Sequence, residues 1–120
     1  FPYDRAALAG ASVVACLPPS ERPGAIDSLM DEQRSWALST DPTGGALNAL
    51  ALPAERLSGL TSCVLSEQTQ REIGNLSMEA SQKGIDSTPT FVVQGKVYSG
   101  FMGASALGTL VDQAINSPGE

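Results

Sequence analysis

The chain has 120 residues, 42% of them hydrophobic and 17% charged, which fits one globular domain with a real core and excludes a disordered polyelectrolyte. Its net charge is -6 and its seven basic residues are scattered singly, which excludes a phosphate-tracking nucleic-acid surface; the apolar runs are too short to span a membrane. Histidine is absent, so Ser-His-Asp and Cys-His catalysis are excluded, soft ligands are too few for a zinc site, and neither metal nor cofactor is expected.

Asp4 is placed to cap a first helix over Arg5–Cys16, stopped by Pro18-Pro19. From Ser20, with Pro23 and Gly24 in the first turn, the spacing of Ile26, Leu29, Met30, Trp36 and Leu38 predicts a second, mostly helical segment. Asp41-Pro42 sets a cap before a proline at the first helical position and predicts a short helix through Leu47 and Leu50. Pro53 repeats the device for Ala54–Leu65, and Ser66 caps a long helix to about Lys83, closed by Gly84 as a left-handed residue. Beyond Gly84 the period changes. Thr90-Phe91-Val92-Val93 is β-branched and aromatic, Gln94-Gly95 suits a two-residue hairpin turn, and Lys96-Val97-Tyr98 returns. A last helix over Ala104–Asn116 carries Leu107, Leu110, Val111, Ala114 and Ile115 on one face and ends at Ser117-Pro118. A lone hairpin is marginal in water, so a further element is expected to pair with it.

Thr88-Pro89 stands at the threshold of the predicted strand, where proline gives up a ladder hydrogen bond. The residues alone leave two readings: an ordinary trans proline at a strand start, or a cis proline that turns the backbone toward a site. The cysteines, Cys16 and Cys63, read either as a reactive pair or as two independent buried thiols. Tyr98, Phe101 and Met102 are core residues or the lining of an exposed apolar groove. Asn75-Leu76-Ser77 is a glycosylation sequon inside a predicted helix, and Gly100 and Gly103 form no dinucleotide fingerprint. Asp31, Glu32, Glu67, Glu72 and Glu79 have the spacing of solvated helix faces, and none pairs as general acid with general base.

Taken in order, "FPYDRAALAGASVVAC", "AIDSLMDEQRSWAL", "LSGLTSCVLSE" and "EASQKGIDSTPTFVVQGKVYSG" resemble the DsbA-like thiol:disulfide oxidoreductases, with the Thr-Pro-Thr-Phe loop as the most specific piece. The resemblance implies an α/β, thioredoxin-like fold of the DsbA type. Residues 1–84 would be the inserted helical domain with its connecting helix, and residues 85–120 the C-terminal β-β-α part of the thioredoxin fold. It implies a cis Thr88–Pro89 bond in a loop that packs against the active-site disulfide and pairs with an extended substrate peptide. Thr88 would touch the catalytic sulfurs and tune their redox balance. It further implies a structural disulfide, Cys16 to Cys63, joining the first helix to Ala54–Leu65.

The family's Cys-x-x-Cys is absent from these residues. The chain is therefore expected to begin about where the second thioredoxin strand ends, with the reactive pair and any export signal upstream of Phe1 and no catalytic residue of its own. The implied role is part of an exported, periplasmic bacterial enzyme of disulfide exchange. Its partners would be protein or peptide substrates with thiols or disulfides, and a redox partner protein. The rival is a non-catalytic thioredoxin-like peptide-binding or structural domain; a third reading is a helical module whose hairpin completes a sheet in another subunit. Under each, Thr90–Val93 keeps an unpaired edge and an uncovered face, so the segment alone is expected to be unstable or to self-associate unless the missing half is another chain.

Overall fold

Short polar side chains start the helices. In the computed structural model, which describes residues 1–117, Asp4 Oδ1 accepts the Ala7 N–H at 2.7 Å and opens α1 (Arg5–Ala15). The expected stop at Pro118 lies outside the described residues. A 3₁₀ turn at Pro19–Glu21 leads into α2 (Arg22–Asp31) and α3 (Gln33–Ala37). Asp41 Oδ1 accepts the Gly44 N–H at 3.0 Å and Pro42 occupies the first position of α4 (Pro42–Ala49). Then follow α5 (Ala54–Val64) and α6 (Glu67–Gln82), the latter capped by Ser66 Oγ, which accepts the Thr69 N–H at 3.2 Å. The hairpin β1 (Thr90–Val93) and β2 (Lys96–Ser99) and the helix α7 (Ala104–Asn116) complete the chain. The molecule divides into two units, Phe1–Ser77 and the residues from Met78 onward.

The first unit is a helical bundle around Val13, Leu17, Ala25, Leu29, Trp36, Ala46, Leu47, Leu60 and Val64. The segment after Ser20, expected as one mostly helical run, is a 3₁₀ turn and two helices broken at Glu32. The break lets Trp36 fold back, so that its indole Nε1 donates to the Leu29 carbonyl at 2.8 Å. Ala25 and Leu29 form the buried stripe of α2, while Ile26 and Met30, one residue further round the helix, face solvent, as does Leu38. A further buried knot ties α1, α5 and α6 together. Ser12 Oγ donates to the Leu8 carbonyl at 2.7 Å, and the Gln70 amide donates to Ser12 Oγ at 3.1 Å and to the Val64 carbonyl at 2.9 Å. Arg22 closes the other end of α1 by donating to the Leu17 and Ala15 carbonyls at 3.0 and 3.2 Å.

Gly45 sits where α4 crosses Trp36. A methyl group there would lie 2.9 Å from Trp36 Cβ and 3.0 Å from Trp36 Cα. Backbone cannot swing aside as a side-chain tip can. Gly45→Ala is therefore expected to cost about 1–3 kcal/mol through overpacking, despite the better helix propensity of alanine, and a thermal melt checks it.

Arg56 grips Glu21 with both terminal guanidinium nitrogens, at 2.9 and 2.7 Å, linking α5 to the 3₁₀ turn. Its hydrogen bonds hold the Glu21 carboxyl below the usual carboxylate range. A depressed carboxylate contributes stability above its unfolded-state pKa and loses it as pH falls through the folded value. The pair is half-exposed, so the effect is small. Acid titration of stability is expected to be shallower in Glu21→Gln than in the parent, with the two curves meeting at the acid end; parallel curves would contradict the linkage.

In the second unit α6 ends in a Schellman arrangement: the Ile85 N–H bonds the Ala80 carbonyl at 2.9 Å and the Gly84 N–H the Ser81 carbonyl at 3.0 Å. Gly84, at φ +79°, makes that reversal without a Cβ clash. Gln94 and Gly95 have φ of 48° and 78°, the left-handed pair that a tight hairpin turn needs. The register is antiparallel, Thr90 with Ser99, Phe91 with Tyr98, Val92 with Val97 and Val93 with Lys96. α7 packs against β1. Only part of its expected apolar face turns inward: Leu107, Leu110 and Ala114 are half-buried, whereas Val111 and Ile115 are exposed, Ile115 at 68%. The helix has one covering partner within its unit, and one stripe suffices for that.

Strand alternation puts Phe91, Val93, Lys96 and Tyr98 on one face of the hairpin and Thr90, Val92, Val97 and Ser99 on the other. The second face is open, with Val92 50% and Val97 37% exposed. Among the described residues β1 pairs with β2 alone, so its other edge is free.

Candidate functional site

The loop before β1 continues the hairpin ladder by one step. Val93–Lys96 closes the two-residue turn, so hydrogen-bonded pairs fall at Val93–Lys96 and Phe91–Tyr98, and next at Pro89 and Gly100. The Gly100 N–H does reach the Pro89 carbonyl, at 2.8 Å. Pro89 has no N–H, so this rung carries one bond in place of two. Thr90 Oγ1 donates to the Ser87 carbonyl at 2.6 Å and fastens the bend. The Thr88–Pro89 peptide bond is cis, and both residues are exposed. By the same alternation, Thr90 and Val92 turn their N–H and C=O groups away from β2, toward the free edge. The result is a pinned bend with an exposed Thr88 at the head of an open strand edge.

Phe101, 88% exposed, follows directly after Gly100, while Tyr98 and Met102 are half-buried. On the α7 side of the hairpin an open cavity of about 310 Å³ is lined by Val93, Lys96, Tyr98, Leu110 and Gln113 among others. Gln94 crosses its rim and donates to the Ala114 carbonyl at 2.9 Å. The sequence did not single out this cavity, because its lining mixes apolar and polar residues that the hairpin and α7 bring together from separate stretches of the chain.

Cys16 and Cys63 form a disulfide, with Cα atoms 6.0 Å apart. Cys16 is the C-terminal cap of α1 and Cys63 lies in the last turn of α5. Thr69, buried in the first turn of α6, places Oγ1 3.7 Å from Cys16 Sγ and 3.6 Å from Cys63 Sγ. Sequence reasoning missed Thr69. The only signal was its spacing, three residues after the cap Ser66 and six after Cys63. The disulfide belongs to the first unit and the Thr88-Pro89 loop to the second. Among the described residues no group of three or more His, Cys, Asp or Glu side chains is placed to hold a metal ion, and no helix is long and apolar enough to cross a membrane.

A search among curated proteins and one among solved structures find no match. A family model, that of the thioredoxins, matches residues 1–113, nearly the whole chain. On that extent of match, this chain belongs to the thioredoxin family.

Proposed function

We propose that the chain acts as part of a DsbA-type thiol:disulfide oxidoreductase, exported to the periplasm, in which the Ser87–Thr90 bend faces both the reactive sulfurs and the substrate protein. The observation that carries this reading is the exposed Thr88-Pro89 pair, fixed by the Gly100-to-Pro89 bond at the head of an open edge. An extended peptide needs backbone groups to pair with, and a proline beside them withholds an N–H that would compete. Thr88 would border the sulfurs. The free groups of Thr90 and Val92 would pair with a further strand, and the Val92/Val97 face would take the layer that covers it.

In such a site a thiolate attacks a disulfide sulfur of the substrate, the old S–S bond breaks, and a second thiolate resolves the mixed disulfide. The thiolates would come from a Cys-x-x-Cys outside these residues, since Cys16 and Cys63, 47 positions apart, do not form that motif. A second reading starts from the lack of that motif among these residues: a thioredoxin-like domain that binds peptides without Cys-x-x-Cys chemistry. Insulin-disulfide reduction by the natural full-length protein, with intact mass before and after, separates the two. Turnover through a mixed disulfide supports the first reading; peptide binding with no mass change supports the second.

A further inference from the structure

The Cys16–Cys63 bridge has a neighbour that a loop-closing link does not require. Thr69 Oγ1 lies almost equally far from the two sulfurs, 3.7 and 3.6 Å. Bonded sulfurs carry no proton, so in these contacts the threonine O–H is the donor. A disulfide sulfur is a weak acceptor, whereas a thiolate is a strong one. The hydroxyl is thus better matched to the cleaved bridge than to the closed one.

Its position is built. Thr69 is buried, its N–H is held by Ser66 Oγ at 3.2 Å, and Ser66 Oγ also lies 3.0 Å from Thr69 Oγ1 and 2.8 Å from the Cys63 carbonyl. The first turn of the 16-residue α6 adds the positive end of a helix dipole. The remaining surroundings point the other way, since both cysteines sit at helix C-termini, where negative potential opposes a thiolate. Thr69 is therefore the local group that offsets this opposition. Both cysteines are half-buried, outside the fully enclosed core.

We propose that the Cys16–Cys63 bridge is a redox site that opens to an external dithiol, with Thr69 as the positioning residue that stabilises the departing thiolate. The inference is independent of the function proposed above. One thiolate of the dithiol attacks a bridge sulfur; the S–S bond breaks, and the other cysteine leaves as a thiolate with the bonding pair, accepting the Thr69 O–H. The second thiol of the dithiol, once deprotonated, attacks the mixed disulfide and releases the remaining cysteine, and both protein thiolates take up protons. The dithiol ends as a disulfide and the protein holds two thiols.

The test uses the full natural chain, dithiothreitol as the dithiol, and quenching by alkylation with peptide mass mapping, so that Cys16 and Cys63 are followed specifically. Thr69→Val keeps the shape and removes the hydroxyl; Thr69→Ser keeps the hydroxyl. Circular dichroism first confirms that each variant is folded, and Thr69→Ala takes the place of Thr69→Val if the valine variant is not. The native bridge is expected to be reduced without denaturant, roughly tenfold faster than in Thr69→Val, with Thr69→Ser near the parent rate. A threonine serving packing alone gives the opposite sign, because loosening the fold exposes the sulfurs and speeds reduction. Equal or faster reduction of Thr69→Val, or a native bridge that dithiothreitol leaves intact, would overturn the proposal.

Discussion

Cys16→Ala/Cys63→Ala is expected to lower the stability of the helical unit by about 4 kcal/mol, because it releases a constraint spanning 47 residues. In the chain-entropy model the bridge acts on the unfolded ensemble, whose ends must otherwise be brought together at the cost of loop closure. The folded contacts of α1 with α5 survive in the variant, since Val13, Leu60 and Val64 belong to the same core. The native architecture should therefore persist at low denaturant and fail early. Trp36, the chain's single tryptophan, lies in this unit and reports on it alone. Urea unfolding followed by its fluorescence checks the expectation, and a loss under about 1 kcal/mol would mean the closed loop is already compact when unfolded.

Trp36→Ala is expected to cost about 3–5 kcal/mol, the range for deleting a large buried aromatic. Three separate features make Trp36 the centre of the unit. Its ring lies against Gly10, where even a methyl group would come within 3.1 Å; its backbone supports Gly45; and its indole N–H satisfies the Leu29 carbonyl at the end of α2. Trp36→Phe separates these roles. It retains most of the apolar ring but leaves the Leu29 carbonyl without its donor and opens a gap, so about 1–3 kcal/mol is expected. Far-UV circular dichroism melts of both variants test the order. If phenylalanine proves as damaging as alanine, the hydrogen bond outweighs the packing.

The features legible in the sequence are those whose causes lie within a few residues. Asp4, Asp41 and Ser66 cap helices because a short polar side chain reaches the backbone three positions on, whatever surrounds it. Gly84 and Gln94-Gly95 mark reversals because positive φ is a local demand. The break at Glu32 could not be read, since no glycine or proline marks it; it is fixed by where Trp36 finds room and a carbonyl. The exposure of Val111 and Ile115 escaped for a related reason. Periodicity gives the apolar stripes of α7, and the neighbours available decide which of them is buried. At the candidate site the sequence located the Thr88-Pro89 bend, while the free groups of Thr90 and Val92 follow from a register that only the structure supplies. Thr69 depends on the turn between α5 and α6 and on Cys16 arriving from far along the chain.

The most direct test of the functional account is where a substrate-like peptide binds. An extended, cysteine-containing peptide titrated into the isotope-labelled natural protein should shift the amide resonances of Ser87, Thr88, Thr90 and Gly100, around the pinned bend. Shifts confined to Gln94, Lys96 and Gln113, at the cavity between the hairpin and α7, or to the helical unit, would contradict it.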